Sequence, residues 1–170
     1  MKKLITKSLL ASMVVASPLL FSLDASAGDG KIYSGADCER HSGSTSYDHS
    51  SGIFRNNSTT QNLTVVCPVT KDVFAHNLNG GWIKLVDKST TENFTCSMKS
   101  KHRNANGSWT NYWSGNMYSS GFGTHTQKKS FNGMGHVSSN SHYYVTCTIP
   151  KKNATNGSSY IVSYSATENS

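Results

Sequence analysis

The sequence predicts an all-β protein, an antiparallel β-sandwich of jelly-roll or immunoglobulin-like topology that contains two disulfides. About nine short segments are β-branched, aromatic or regularly alternating between apolar and polar residues, as strands are. Clusters of Gly, Asn, Ser and Thr separate these segments, as turns do. No amphipathic helix of useful length follows the amino-terminal region, and all four cysteines fall on the apolar face of a predicted strand.

The clearest strand is 63–69, a β-branched apolar run. Its apolar face consists of Leu63, Val65, Cys67 and Val69. Pro68 has no N–H to donate to a neighbouring strand, so we expect the strand to lie at a sheet edge or to end there. Residues 143–149 form its counterpart, because they also carry an inward cysteine and end at a proline.

The other strand candidates are 32–38, 53–55, 82–87, 93–99, 108–113, 130–134 and 160–166. Polar, Gly-rich connections are predicted at 39–51, 114–129 and 151–158, and Asn79-Gly80-Gly81 is predicted as a turn. The last two strands, 143–149 and 160–166, form either a hairpin or neighbours in opposite sheets.

The amino terminus has the pattern of a secretory signal peptide. Lysines precede a mostly apolar stretch at 9–23, and small residues at 25 and 27 predict cleavage after Ala27. The predicted domains are therefore a signal peptide at 1–27 and a single secreted β-sandwich at 28–170. The signal peptide is of a bacterial type, which predicts that the mature protein is located in the periplasm or in the medium. No later stretch is apolar and long enough to predict a transmembrane segment in the mature chain.

The cysteines also fit an exported protein. Four cysteines in an oxidising compartment predict two disulfides, and three pairings are possible. We prefer Cys38–Cys67 with Cys96–Cys147, which close loops of about 30 and 52 residues and would each add roughly 3.5–4 kcal/mol to the free energy of unfolding. The cysteines are too far apart in sequence for a typical structural zinc site.

Charge and histidine content predict neither nucleic acid nor a cofactor as a partner. The formal net charge of +7 falls to about +5 when the signal peptide removes three lysines and one aspartate, and the remaining positive charges are scattered. None of the seven histidines forms a metal-binding motif. A metal site would require histidines from different loops to lie close together in the fold, for example His125, His136 and His142.

Catalytic motifs are absent, so we do not expect an enzyme. The Gly-x-Ser-x-Gly pattern is missing, and disulfide formation would remove the thiol nucleophiles. A hydrolase built from loops, with Glu39 paired to Asp48 or Asp72, is the alternative.

The strongest functional candidate is an aromatic group in a polar, Gly- and Asn-rich region: Trp109, Tyr112, Trp113, Tyr118 and Phe122. Exposed, these rings could stack on sugar rings or form a protein interface. The alternative is that Trp109 and Trp113 share a strand face and fill the core, with Tyr112 outside.

Several short stretches together resemble a group of small secreted bacterial proteins. They are Tyr33-x-Gly35-x-x-Cys38, Gly52-Ile53, Val65-Val66-Cys67-Pro68-Val69, Cys96, Cys147-x-Ile149-Pro150 and Ser159-Tyr160-Ile161-Val162-Ser163-Tyr164. The resemblance spans nearly the whole mature chain. It implies export and a disulfide-bonded β fold, and it brings no catalytic residue.

The leading hypothesis is a secreted, disulfide-stabilised binding protein whose partner is an envelope polysaccharide or a protein. The alternatives are a small secreted hydrolase and a purely structural or inhibitory envelope protein. Exposure of the aromatic rings at 109, 112 or 118 would favour sugar binding, whereas a pocket with a carboxylate pair or a His–carboxylate pair would favour the hydrolase. A flat surface with all tryptophans buried would favour the structural or inhibitory protein.

Overall fold

The computed structural model describes residues 30–71, 77–134 and 141–168, and the predicted signal peptide at 1–27 lies outside these ranges. Within them the chain forms twelve strands and one 3-10 turn, η1 (Gly35–Asp37). The strands are β1 (Gly30–Ser34), β2 (Glu39–Gly43), β3 (Tyr47–Asp48), β4 (Phe54–Asn56), β5 (Leu63–Val69), β6 (Leu78–Val86), β7 (Thr95–Arg103), β8 (Trp109–Trp113), β9 (Met117–Tyr118), β10 (Gln127–Phe131), β11 (Ser141–Ile149) and β12 (Tyr160–Glu168). No helix in the described part of the chain is long and apolar enough to cross a membrane.

The strands form two antiparallel sheets of six strands, which confirms the predicted β-sandwich. Sheet A has the order β10-β6-β12-β4-β3, with β1 also paired to β12. Sheet B has the order β2-β5-β11-β7-β8, with β9 also paired to β7. The chain crosses repeatedly from one sheet to the other, as in a jelly roll. In particular, β11 and β12 lie in opposite sheets and do not form a hairpin.

The core lies between the inner faces of the sheets. In β5 the burial alternates as predicted, and the strand is aligned with β11 from Leu63 opposite Ile149 to Val69 opposite Tyr143. Sheet A contributes large inward side chains such as Phe54, Ile83 and Tyr164, each at most 1% exposed. The period-2 patterns of the sequence therefore identified the inward residues of the central strands correctly.

Two disulfides lie in this core, as the fold prediction required. They join Cys38 to Cys67 and Cys96 to Cys147, and all four cysteines are at most 2% exposed. Cys96 and Cys147 are directly opposite in the β7–β11 ladder. Cys38 follows η1, where the chain passes from sheet A to sheet B, and its partner is in β5. Both bridges therefore reinforce sheet B.

Hydrogen bonds connect sheet A to sheet B. The Tyr164 hydroxyl in β12 donates to the Pro68 carbonyl in β5 at 2.7 Å. The buried Asn56 amide in β4 donates to the carbonyls of Ile149 and Pro150, both at 3.2 Å, at the end of β11. The fully buried Asp87 carboxyl, just after β6, accepts from the Ser119 hydroxyl at 2.5 Å, beyond β9.

Several strands were wrong or missing in the prediction. β2 and β3 occupy the predicted loop 39–51, and β9 with most of β10 occupies 114–129. All five residues of β2 are exposed, so this strand has no apolar periodicity, and its pairing with β5 determines its conformation. β5 is also not an edge strand, although its pairing with β2 stops at Val66, before Pro68.

The predicted turn Asn79-Gly80-Gly81 lies inside β6. Gly80 has a φ of 140°, and the β6–β12 register shifts next to it, between Thr167 and Glu168. At Gly81 an added Cβ would lie 2.0 Å from the Ser165 carbonyl oxygen. These glycines therefore permit an irregular, close strand pairing and not a turn.

Candidate functional site

Strand β8 places both of its tryptophans on the outer surface of sheet B. Trp113 pairs with Lys99 and Trp109 with Arg103, and these β7 residues alternate with the buried Met98 and Ser100. Trp109 is 49% exposed and Trp113 is 61% exposed. The interpretation of these tryptophans as core residues is therefore wrong, because their strand has its apolar side toward solvent.

The aromatic surface extends from β8 across the sheet to β11. The ring of His142 makes an edge contact with Trp109 at a centroid distance of 6.2 Å and stacks on Tyr144 at 5.9 Å. Tyr144 is half-buried and pairs with Lys99 in the ladder, so it lies on the same face as Trp113. We call Trp109, Trp113, His142 and Tyr144 the aromatic face.

Tyr144 separates two open depressions in this surface. One, of about 390 Å³, lies toward β8 and is lined by Ser97, Lys99, Asn111, Tyr112, Trp113, Asn116 and Tyr144. The other, of about 430 Å³, lies toward β5 and is lined by His41, Val66, Pro68, Val69, Lys101, His142, Tyr143 and Tyr144. The first combines rings with amide, hydroxyl and ammonium groups, and the second is more apolar. Tyr144 is the residue that lines both of them.

Basic side chains accompany the rings. The Lys101 ammonium lies 4.9 Å from the centre of the Trp109 ring, and the Arg103 guanidinium lies 5.9 Å from it. Such contacts are favourable because the ring face is electron-rich. No described contact places a cation over Trp113. Partial burial also raises the pKa of the Tyr144 hydroxyl, so Tyr144 is an uncharged hydrogen-bonding group at neutral pH.

The remaining predicted aromatic residues are arranged differently. Tyr112 projects from the other side of β8, opposite the buried Ser100, yet it still borders the depression near Trp113. Tyr118 pairs with Thr95, is 54% exposed, and its hydroxyl accepts from the Asn116 amide at 3.3 Å. Phe122 lies in the loop between β9 and β10 and lines neither depression. Trp113 and Tyr112 thus line the depression beside β8, and Trp109 joins the surface through its contact with His142, whereas Tyr118 and Phe122 line neither depression.

Two contributors were missed by sequence reasoning. Tyr144 and Lys99 belong to strands that were recognised by their inward residues, and their own positions alternate outward. That alternation was a usable signal for exposure. It could not show that β7, β8 and β11 are neighbours, so the sequence did not associate these residues with the tryptophans.

The described residues among those predicted for a metal site or a hydrolase site lie in different parts of the molecule. His142 is in the aromatic face, His125 is an exposed loop residue and His136 lies outside the described residues. Among residues 30–71, 77–134 and 141–168, no group of three or more His, Cys, Asp or Glu side chains could hold a metal ion. Asp48 pairs with Arg55 at 3.3 Å, and Asp72 lies outside the described ranges. Glu39 lines a separate cleft beside β2 together with Asp37 and His49, so this cleft contains the carboxylates and the histidine that the hydrolase alternative requires.

No protein-family model matches the sequence, and no curated protein matches it. Among solved structures, the chain is similar to the low-affinity xylan-binding module CBM86 of Roseburia intestinalis, at 14% identity over 84% of this chain and 97% of that chain, with a TM-score of 0.47. It is also similar to the CBM22-1–GH10 modules of Clostridium thermocellum endo-1,4-β-D-xylanase 10B complexed with xylohexaose, at 6% identity over 81% of this chain and 27% of that longer chain, with a TM-score of 0.49. Likenesses at these values assign no function.

Proposed function

We propose that this chain is a secreted, disulfide-stabilised binding protein whose aromatic face binds a polysaccharide. The observation that carries the proposal is the exposure of Trp109 and Trp113 on one sheet surface, aligned with Tyr144 and bordered by two depressions. Monomeric proteins rarely leave such rings together in water without a partner that covers them.

The chemistry of the surface suits a sugar chain. The flat, apolar face of an indole ring can stack against the C–H groups of a pyranose ring, and Trp113 has its ring available for this. Asn111 and Asn116 border the same depression and can exchange hydrogen bonds with sugar hydroxyls. A chain that lies across β8, β7 and β11 would contact both depressions in sequence.

The two disulfides support the extracytoplasmic part of the proposal, because such bridges persist in oxidising compartments. They also hold the site in place. Cys96 and Cys147 join β7 to β11, the two strands that carry Lys99 and Tyr144 on their outer sides. A binding surface that is ordered before its ligand arrives loses less conformational entropy on binding.

Substitution of Trp113 tests the proposal. We expect Trp113→Ala to weaken binding at least tenfold, measured by titration calorimetry against a panel of soluble neutral and acidic envelope polysaccharides and oligosaccharides such as xylohexaose. The loss follows because the stacking platform is removed from an exposed strand. The matched control is Trp82→Ala in sheet A, the remaining tryptophan of the chain, which should leave the affinity within about twofold.

Two results would contradict the proposal. One is the absence of calorimetric binding by the unmodified protein across the whole panel. The other is an equal loss of affinity in the Trp113→Ala and Trp82→Ala variants, since that would place the ligand away from the aromatic face.

A further inference from the structure

We infer that the polysaccharide bound at the aromatic face is anionic, with carboxylate groups like those of a polyuronate. The inference rests on the proposed function and adds the charge class of its ligand. It comes from the distribution of charged side chains on the outer surface of sheet B.

Three cations lie in one row along β7. Lys99, Lys101 and Arg103 occupy alternate positions, so they project from the same side of the strand and their Cα atoms are about 7 Å apart in succession. Their partners across the ladder are Trp113, Asn111 and Trp109. Each cation therefore has a ring or an amide beside it. A sugar that stacks on one of these rings would have its own substituents close to a positive charge.

Within the described part of the chain, no strand residue next to this row carries a carboxylate. Among the described strand residues on the outer side of sheet B, the one carboxylate is Glu39, which is opposite Val66 at the β2 edge. β2 and β7 are separated by β5 and β11, a distance of about 14 Å at the usual strand spacing. This exceeds the Debye length of about 8 Å at physiological ionic strength, so Glu39 offsets little of the charge.

The two tryptophans have different surroundings, which suggests a division of roles. Trp109 has Lys101 and Arg103 near its ring, whereas the described contacts place no cation over Trp113. Trp113 is then the open platform for a sugar ring, with Lys99 opposite it in the ladder for the carboxylate of that ring, and the cations at the Trp109 end face the carboxylates of neighbouring sugar units. Asn111 lies between them and can contact either group.

Single-stranded nucleic acid also combines stacking surfaces with negative charge. It requires cations that follow a backbone over many phosphates. Here the row is limited to β7, and β11 presents Tyr144 opposite Lys99 and His142 opposite Lys101, with the hydroxyl groups of Thr146 and Thr148 further along the same side. Hydroxyl groups in that position suit sugar hydroxyls, so we favour the anionic glycan.

The test compares a polygalacturonate oligomer with an uncharged oligosaccharide of similar length at low and high salt. We expect the unmodified protein to bind the acidic oligomer at least tenfold more tightly, and the preference to shrink as salt rises. The double variant Lys99→Gln/Lys101→Gln should lose that preference, so that its affinities for the acidic and the neutral oligomer differ by no more than about twofold. The matched control, Lys84→Gln/Lys128→Gln, removes the same charge from the outer face of sheet A and should keep the preference.

The possible failures are distinguishable. An unchanged acidic-to-neutral ratio in the Lys99→Gln/Lys101→Gln variant, with Trp113→Ala still abolishing binding, overturns the inference and leaves the proposed function standing. Equal losses in both double variants show a net-charge effect and overturn it as well. Tighter binding of an oligothymidylate than of the acidic oligomer would assign the face to nucleic acid. Failure of every glycan to bind overturns both proposals.

Discussion

The outer faces of the two sheets contain the same residue types but expose them differently. In sheet A, the half-buried Trp82 ring has Lys84 and Lys128 ammonium groups 5.3 and 4.9 Å from its centre. In sheet B, Trp113 is 61% exposed. β6 lies between β10 and β12, whereas β8 is the last strand in the order of its sheet. The comparison shows that the exposure of a tryptophan on an outer face depends on whether its strand lies inside the sheet or at its edge.

The sheets also differ in how they are held together. Both disulfides involve β5, β7 or β11 of sheet B. Sheet A is connected to sheet B by hydrogen bonds that Tyr164 and Asn56 donate and that Asp87 accepts. Cross-linking is thus concentrated beneath the exposed aromatic surface. Three substitutions can test this difference.

The largest effect is expected from removal of the bridge between β7 and β11. The double variant Cys96→Ala/Cys147→Ala should lose about 4 kcal/mol of unfolding free energy, because the bridge closes a loop with a sequence separation of 51. Urea denaturation followed by fluorescence measures the loss. The Cys38→Ala/Cys67→Ala variant serves as the comparison, with an expected loss of about 3.6 kcal/mol for its shorter loop. Losses below about 1 kcal/mol in both variants would mean that hydrogen bonds and packing dominate in sheet B too.

The second-largest loss of stability is expected from substitution of Asp87, which is fully buried where sheet A meets sheet B. Its carboxyl accepts from the backbone N–H of Ser89 at 2.9 Å and of Phe94 at 3.3 Å, and from the Ser119 hydroxyl at 2.5 Å. Asp87→Ala should cost about 3 kcal/mol because it leaves buried donors without their acceptor. Thermal unfolding is the measurement. Asp48→Ala, which removes a partly exposed ion pair with Arg55, should lower the midpoint of thermal unfolding much less than Asp87→Ala does. Equal costs would argue against a special role for the buried junction.

The smallest effect at neutral pH is expected at Tyr164, whose hydroxyl connects β12 to the Pro68 carbonyl. Tyr164→Phe should cost about 1 kcal/mol, the usual net value of one hydrogen bond. Tyr160→Phe, at a partly exposed position on the same strand, is the control.

From the burial of the Tyr164 hydroxyl we also expect the unfolding free energy to fall at alkaline pH. Burial, with smaller contributions from Asp37 and Tyr33, raises the pKa of its hydroxyl above the ordinary 10.0. The unfolded chain would ionise near pH 10 while the folded protein keeps the proton, so stability is complete below that pH and falls as the pH rises further. Unfolding free energies measured between pH 8 and 11.5 should fall less steeply in Tyr164→Phe than in the unmodified protein. Parallel curves would show that other groups control the transition.

The strands that were predicted well are those with one face in the core. At 63–69 and 143–149 the apolar period follows from burial, and the cysteines share that period. β2 was missed because all five of its residues are exposed, and β10 was displaced because only its last residue, Phe131, is buried. Backbone pairing with a neighbour determines the conformation of both strands. The turn predicted at 79–81 was wrong because pairing with a neighbouring strand also determines the conformation there: the glycines accommodate the close approach of β12.

The all-β class and the inward residues of the central strands could be predicted from local alternation and from the residue types that burial selects. The group of aromatic residues around 109–118 could be recognised from composition. Strand pairing was needed to show that Trp109 and Trp113 lie outside, and that Tyr144, Lys99 and Lys101 lie beside them. Alternation places residues on the two sides of a strand without showing which side meets the core, and strand order brings together residues that are distant in sequence.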